Sequence, residues 1–263
     1  MPVAGISGNL AEALMLKMYL ELGPDWQVAY PPEDPHVSGG RENNGEDRQP
    51  MAYGSSLWRR LMLHIIGLHH RVQAKLPNED LNEGQKAFSQ CLRASILSIK
   101  PALVAEEHSK EVLKSLGKVS IAKEIAGLES IDHRFCDPES DERSVIGYKG
   151  ASDIEVEMSM QSRWDLPGEQ RGIVARAIEI GRYFPKREEC WLKYLDADLC
   201  RSKEVLFACG DVHVESGSFM TLLEDQHVPY KVVERRIGVD HDERYYLALA
   251  YLRQHPEVLD APF

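Results

Sequence analysis

The sequence predicts an α/β fold: a mostly parallel central sheet covered by helices on both faces, with an N-terminal helical appendage. Two observations carry this. After Leu57 short apolar runs alternate with amphipathic helical stretches, the pattern of a parallel sheet wrapped by its crossover helices. Two of the apolar runs also end in one signature, Gly-x-x-His: Gly67 to His70 and Gly210 to His213. An uninterrupted apolar run with β-branched or aromatic members reads as a strand buried on both faces. A glycine at its end lets the chain turn and leaves the histidine at the strand mouth, where open α/β sheets bind ligands.

The elements follow in order. Residues 7–22 repeat Leu10, Leu14, Met18 and Leu22 at helical spacing, and Gly23-Pro24 ends the run. Residues 31–50 are almost wholly polar, Pro and Gly, too poor in apolar groups to offset their ordering entropy, and are expected to be a flexible linker. The division expected is therefore an N-terminal helical segment over 1–30, the linker over 31–50 and the α/β domain over 51–263. A strand at 61–67 leads to a helix over 82–99, with Phe88, Leu92, Ile96 and Ile99 on one face. A strand at 101–106 precedes a helix over 109–116 that Ser109 caps. A helix over 120–127 and a strand at 130–135 come next. Residues 136–167 read as polar and irregular. Helices fit 168–183 and 186–195, then a strand at 204–209, a helix over 217–226, a strand at 230–235 and a closing helix over 244–255.

Composition narrows the function. The 263 residues carry 42 acidic against 31 basic side chains, a net charge of −11, which argues against a nucleic-acid partner. The five cysteines are scattered, and none is spaced Cys-x-x-Cys, so neither a disulfide framework nor a zinc ribbon is expected. Cys136, Cys190 and Cys209 read as small apolar fillers. No run reaches the ~18 apolar residues of a membrane span. The N-terminus lacks the basic start and apolar core of a secretory leader. The expected location is the cytoplasm, with no membrane contact. The partner expected is a small-molecule or peptide substrate, with the N-terminal helix as a docking element for a protein.

Reactive side chains gather at the strand ends. His70 closes the first run, Glu106-Glu107-His108 the second, Asp132-His133-Arg134 the third, and His213 with Glu215 the last. Parallel strands place these ends on one edge of the sheet. Histidine and carboxylate are the ligand set of Zn, Mn, Fe or Co, and an incomplete protein shell leaves room for water that the ion acidifies. Glu106 is preferred over Glu107 because it directly continues the apolar strand, where a bare carboxylate would be costly. Asp132 and Arg134 read equally as a structural ion pair or as catalytic groups. Arg187 stands at a helix start, where the dipole does not favour a cation, so it is either an exposed surface residue or the partner of an acid or of a substrate carboxylate. His64 and His69 read as packing residues or as supports behind a ligand, and Asp211 as a turn residue or the orienter of an imidazole. As a strand-end group, His213 is expected to be replaceable by Ala without loss of the fold.

This order of motifs resembles the TraB/Tiki superfamily, related to the ChaN-like and erythromycin-esterase-like proteins. The resemblance rests on GLHH with His70, LVAEE with Glu106, IDHRF with Asp132 and Arg134, KREECWL with Arg187, and CGDVH with His213, and covers about residues 57–235. The chain departs from that pattern at His133, which separates Asp132 from Arg134, and at Lys186, where an acid is frequent. The resemblance implies a peptidase-like hydrolase dependent on a divalent metal, with His70, Glu106 and His213 as ligands. Glu106 would also activate water, and Arg134 or Arg187 would stabilise the oxyanion. Two alternatives stay open: a metal-free, esterase-like hydrolase using His and Glu, and a non-enzymatic haem-, iron- or partner-binding protein.

Overall fold

The computed structural model describes residues 62–161, 164–199, 203–238 and 243–260. The N-terminal segment and the linker expected over 1–50 lie outside these residues. The described chain is an α/β fold whose central sheet has five strands, all parallel.

Strand β1 (Leu63–Leu68) leads through a 3-10 turn (His70–Val72) and the two-residue β2 (Ala74–Lys75) into α1 (Glu83–Ile99). Asn82 and Gln85 form a reciprocal capping box that fixes where α1 starts. β3 (Leu103–Glu106) precedes α2 (Lys110–Ser115), which Ser109 caps as expected. β4 (Val119–Ser120) pairs antiparallel with β2, and α3 (Ile121–Leu128) leads to β5 (Asp132–Phe135). Residues 136–167, expected to be irregular, contain two short helices, α4 (Ser140–Val145) and α5 (Ala151–Ser159). α5 buries only Ile154 and Met158, too sparse an apolar signal to mark a helix in the sequence.

The helices expected over 168–183 and 186–195 are one continuous rod. α6 (Gly168–Ile178) passes through a π-helical turn (Glu179–Tyr183) into α7 (Phe184–Leu199). β6 (Val205–Gly210) ends in a short helix, α8 (Asp211–Glu215), followed by α9 (Ser218–Asp225), β7 (Tyr230–Ile237), α10 (Glu243–Gln254) and a 3-10 turn (Pro256–Asp260). His213 therefore lies on α8 just beyond its strand.

The strand order is β5-β3-β6-β1-β7. β1 and β6 are buried along their whole length, which is why both read as unbroken apolar runs, whereas the edge strand β7 is half exposed. Alternation sorts the strand residues onto two faces. Leu63, Ile65, Leu103, Ala105, Val205, Phe207 and Cys209 pack with Trp191 and Leu195 of α7 and Phe219 of α9. Ile66, Leu68, Val104, Leu206 and Ala208 pack with Phe88 and Leu92 of α1 and Ile125 of α3. Further apolar contacts join Ile178, Ile180 and Phe184 of the long rod to Ile154 and Met158 of α5 and to Ala248 and Leu249 of α10. From β3 the chain moves outward to β5, and from β6 it moves the other way to β7. The connections diverge between β3 and β6, and that divergence opens a crevice at the carboxyl ends of the strands.

Candidate metal centre

At that crevice the ligand atoms of His70, Glu107 and His213 all lie within 4.8 Å of one another, the one such group of three among the described residues. The Glu107 carboxylate is the hub. Its Oε2 accepts the backbone N–H of Gly210 at 2.6 Å. Its Oε1 lies 3.1 Å from His213 Nε2, 3.7 Å from His70 Nε2 and 2.8 Å from Arg187 Nη2.

The local sequence explains each placement. Gly210 has ordinary backbone angles, so its role is space: a Cβ there would stand 2.6 Å from His70 Nε2 and 3.3 Å from Glu107 Oε2. Gly67 acts similarly at the end of β1, where a Cβ would stand 2.5 Å from Asp211 Oδ1. Asp211 itself takes the backbone N–H of Arg236 and the guanidinium of Arg235, which anchors the start of α8 to β7. The π-turn displaces the register of the long rod just before Phe184, Arg187, Glu188 and Trp191, all of which reach the site. Phe184 stacks on the His213 ring at 3.9 Å, and Trp191 meets it edge-on at 4.6 Å. Glu188 Oε1 accepts from His213 Nδ1 and from Ser218 Oγ, each at 2.7 Å. Arg187 also pairs with Asp137, which Arg143 holds from the other side.

Charges follow from this packing. Burial disfavours an ionised Glu107, but the charges of His213 and Arg187 beside it outweigh that cost and hold the carboxyl well below its usual range. Burial also opposes a charged His213, yet Glu107 and Glu188 on either side raise it to about 9. His70 goes the other way. Burial, and then Arg187 and His213 against the pull of Glu107, lower it to about 4 and leave it neutral. Arg187 is held cationic by Asp137 and Glu107 despite burial.

His70 and His213 thus meet as expected, and Arg187 joins them. Glu106 does not, although it was the carboxylate preferred in the sequence. It continues the face of Val104, and its Oε1 is fixed by Ser120 Oγ and by His133 Nε2 at 2.8 Å. Glu107 is the residue that shares the face of Leu103 and Ala105, toward α7. The two-residue alternation of β3, carried one step past the strand, is the signal that separates the two acids. Arg134 is also elsewhere: it pairs with Asp198 at 2.5 Å and with the Tyr194 carbonyl. Asp132 is exposed at the start of the edge strand β5, so the Asp132–Arg134 pair is not formed. His64 is a buried residue bonded to Glu204 at 2.7 Å. Glu188 went unmarked in the sequence because it lies mid-helix among other charges. Its one signal was the helical spacing that puts it beside Phe184 and Trp191.

The residues fit a divalent ion. Glu107 Oε1 and His213 Nε2 are fully buried, and neither makes a well-aligned hydrogen bond although they nearly touch. The Glu107–His213 and Glu107–His70 separations of 3.1 and 3.7 Å each suit a pair of atoms ~2.1 Å from a shared centre, and the three atoms as a set lie within 4.8 Å. The Glu188–His213 bond is the carboxylate–imidazole arrangement that fixes a ligating tautomer, Nδ1–H outward and Nε2 toward the ion. A small cavity of about 40 Å³ reaches the site beside His70, lined by Gly210 and by Tyr245, Tyr246 and Leu249 of α10. In comparisons with known proteins, no family model matches the chain, and neither a curated protein nor a solved structure matches it.

Proposed function

We propose that the protein is a hydrolase dependent on a divalent metal, with His70, Glu107 and His213 as the ligands. The observation that carries this reading is the convergence of two imidazoles and one carboxylate at a buried strand-end crevice, with Glu188 orienting one imidazole from behind. A bound ion would supply Lewis acidity and acidify water near neutral pH. The chain's own residues do the rest. Burial and Arg187 keep His70 neutral, the form in which imidazole ligates. The Gly210 N–H and Arg187 fix the two oxygens of Glu107. Phe184 and Trp191 wall off His213 from water, while the half-exposed ring of His70 leaves the site open to solvent on that side. Arg187, paired with Glu107 and Asp137, would add fixed positive charge to the site as negative charge develops on a substrate oxygen.

The test is hydrolysis of 4-nitrophenyl esters and a peptide library by protein purified without a metal-binding tag. Elemental analysis is run on the same sample. Activity should track bound metal, vanish with 1,10-phenanthroline and return with Zn, Mn or Co. Activity that ignores the chelator would favour a metal-free site, for which the hydrogen-bonded Glu188–His213 pair is the specific support.

A further inference from the structure

Beside the site lies a second, larger and more open cleft of about 480 Å³ with a mainly polar lining. Arg143 and Tyr148, Asp153 of α5, Arg176 of α6, Glu179 of the π-turn and Tyr245 of α10 line it. Tyr245 also lines the small cavity over His70, so the two share a wall. Most of the charges here are already engaged. Arg143 holds Asp137 and the Pro138 carbonyl, Glu179 accepts the Tyr148 hydroxyl at 2.6 Å, and Asp153 accepts the Gly150 N–H at 3.2 Å. Arg176 is the exception. Its guanidinium lies over the Tyr245 ring at 4.2 Å and makes no ion pair or hydrogen bond among the described residues. A half-buried guanidinium facing a cavity with its planar donors uncommitted is built to take a planar anion.

We propose that this cavity holds the part of the substrate remote from the cleaved bond, and that Arg176 recognises a carboxylate there. As a statement about substrate this rests on the hydrolase reading; as a statement about binding it stands on the cavity alone. A carboxylate is preferred to a phosphate because Glu179 and Asp153 line the same cavity and repel a dianion more than a single charge. Glu179, bonded to Tyr148 and almost wholly buried, offers an acceptor for an amide N–H on the same ligand.

The test is calorimetric titration of the full chain with N-phenylsuccinamic acid and with its neutral counterpart N-phenylbutanamide. Both runs contain 1,10-phenanthroline, so no metal can capture the carboxylate. The acid should bind one to one and at least ~10-fold more tightly than the amide, as a charged hydrogen-bonded contact requires. Arg176→Gln should weaken the acid by about 10- to 100-fold and leave the amide unchanged. Arg176→Lys, which keeps the charge but loses the planar fork, should fall between. The proposal is overturned if the parent does not prefer the acid, a comparison that needs no variant. It is equally overturned if a folded Arg176→Gln or Arg176→Lys protein binds the acid as the parent does. Failure of the hydrolase reading looks different: no ester is cleaved with any metal, while the acid still binds through Arg176.

Discussion

Replacing His70 by Ala should empty the site of metal and leave the fold standing. The side chain is 35% exposed at the mouth of the crevice, and its Nε2 is the outermost of the three ligand atoms. Zinc sites with four protein ligands bind with roughly 10–16 kcal/mol, so one ligand is worth about 3–4 kcal/mol, or two to three decades in affinity. The cost to stability should be small, about 1 kcal/mol or less, because the ring is partly hydrated and neutral in the folded protein. His213→Ala is a poorer probe, contrary to the expectation that its loss is tolerated. That ring is fully buried between Phe184 and Trp191 and separates Glu107 from Glu188. Its removal leaves two buried carboxylates without their shared cation, a cost of about 3–5 kcal/mol. The assay is competition for Zn²⁺ against a chromophoric chelator, with thermal denaturation of both variants. His70→Ala should lose the ion at an almost unchanged melting temperature, and His213→Ala should lose both. A His70→Ala protein that holds one Zn²⁺ as tightly as the parent would refute the three-ligand site.

Four further outcomes are expected. Metal-free protein should be most stable near pH 6.5 in a series of denaturant titrations. His213, raised from 6.5 to about 9, contributes stability that is full below 6.5 and lost as pH climbs through 9, of order 3 kcal/mol at ~1.4 kcal/mol per pKa unit. His70, lowered to about 4, resists protonation, so stability also falls as pH drops from 6.5 through 4, by an amount that solvent at its exposed edge reduces. At pH 7 His213 carries a proton that the ion must displace, so Zn²⁺ uptake should release about one proton, read from calorimetry in buffers of differing ionisation heat. Gly210→Ala should push the His70 ring out of the site and weaken metal binding without much loss of stability, since the backbone angles suit Ala; unchanged affinity would contradict the contact. Glu106→Gln should retain metal but melt several degrees lower through weakened bonds to Ser120 and His133, while Glu107→Gln should lose metal; the reverse outcome would put Glu106 in the site.

Much of the fold was legible because its central strands are buried on both faces and its helices are amphipathic. β1 and β6 stand out as apolar runs, and Asn82 and Ser109 mark the starts of α1 and α2. α4 and α5 were not legible: each is under three turns, and they bury two side chains between them. The histidines could be found because a glycine fixes where each strand ends. Nearness to the strand favours Glu106 in the sequence, yet Glu107 is the acid that joins the histidines. Both are buried, so proximity decides nothing; the face decides. Glu188 and Asp137 acquire meaning only from tertiary partners, His213 and Arg187, that no local pattern announces.

The charge balance of the buried cluster says what the crevice is prepared to receive. Glu107, Asp137 and Glu188 carry negative charge, and Arg187, Arg143 and protonated His213 answer them one for one, with His70 neutral. A buried cluster is tolerable when it is neutral in this way, since uncompensated charge in the interior costs several kcal/mol. A divalent ion that displaces the His213 proton changes the sum by one positive charge. The surplus would sit near the mouth beside His70, where the one carboxylate among the described lining residues, Asp211, is already engaged by Arg235. It is balanced most directly by an anion arriving from outside or forming on the substrate, such as the oxygen of a carbonyl under attack. On the proposed reading, the same arithmetic favours one carboxylate among the three candidate ligands: a second acid there would neutralise the surplus and leave nothing for that oxygen to gain.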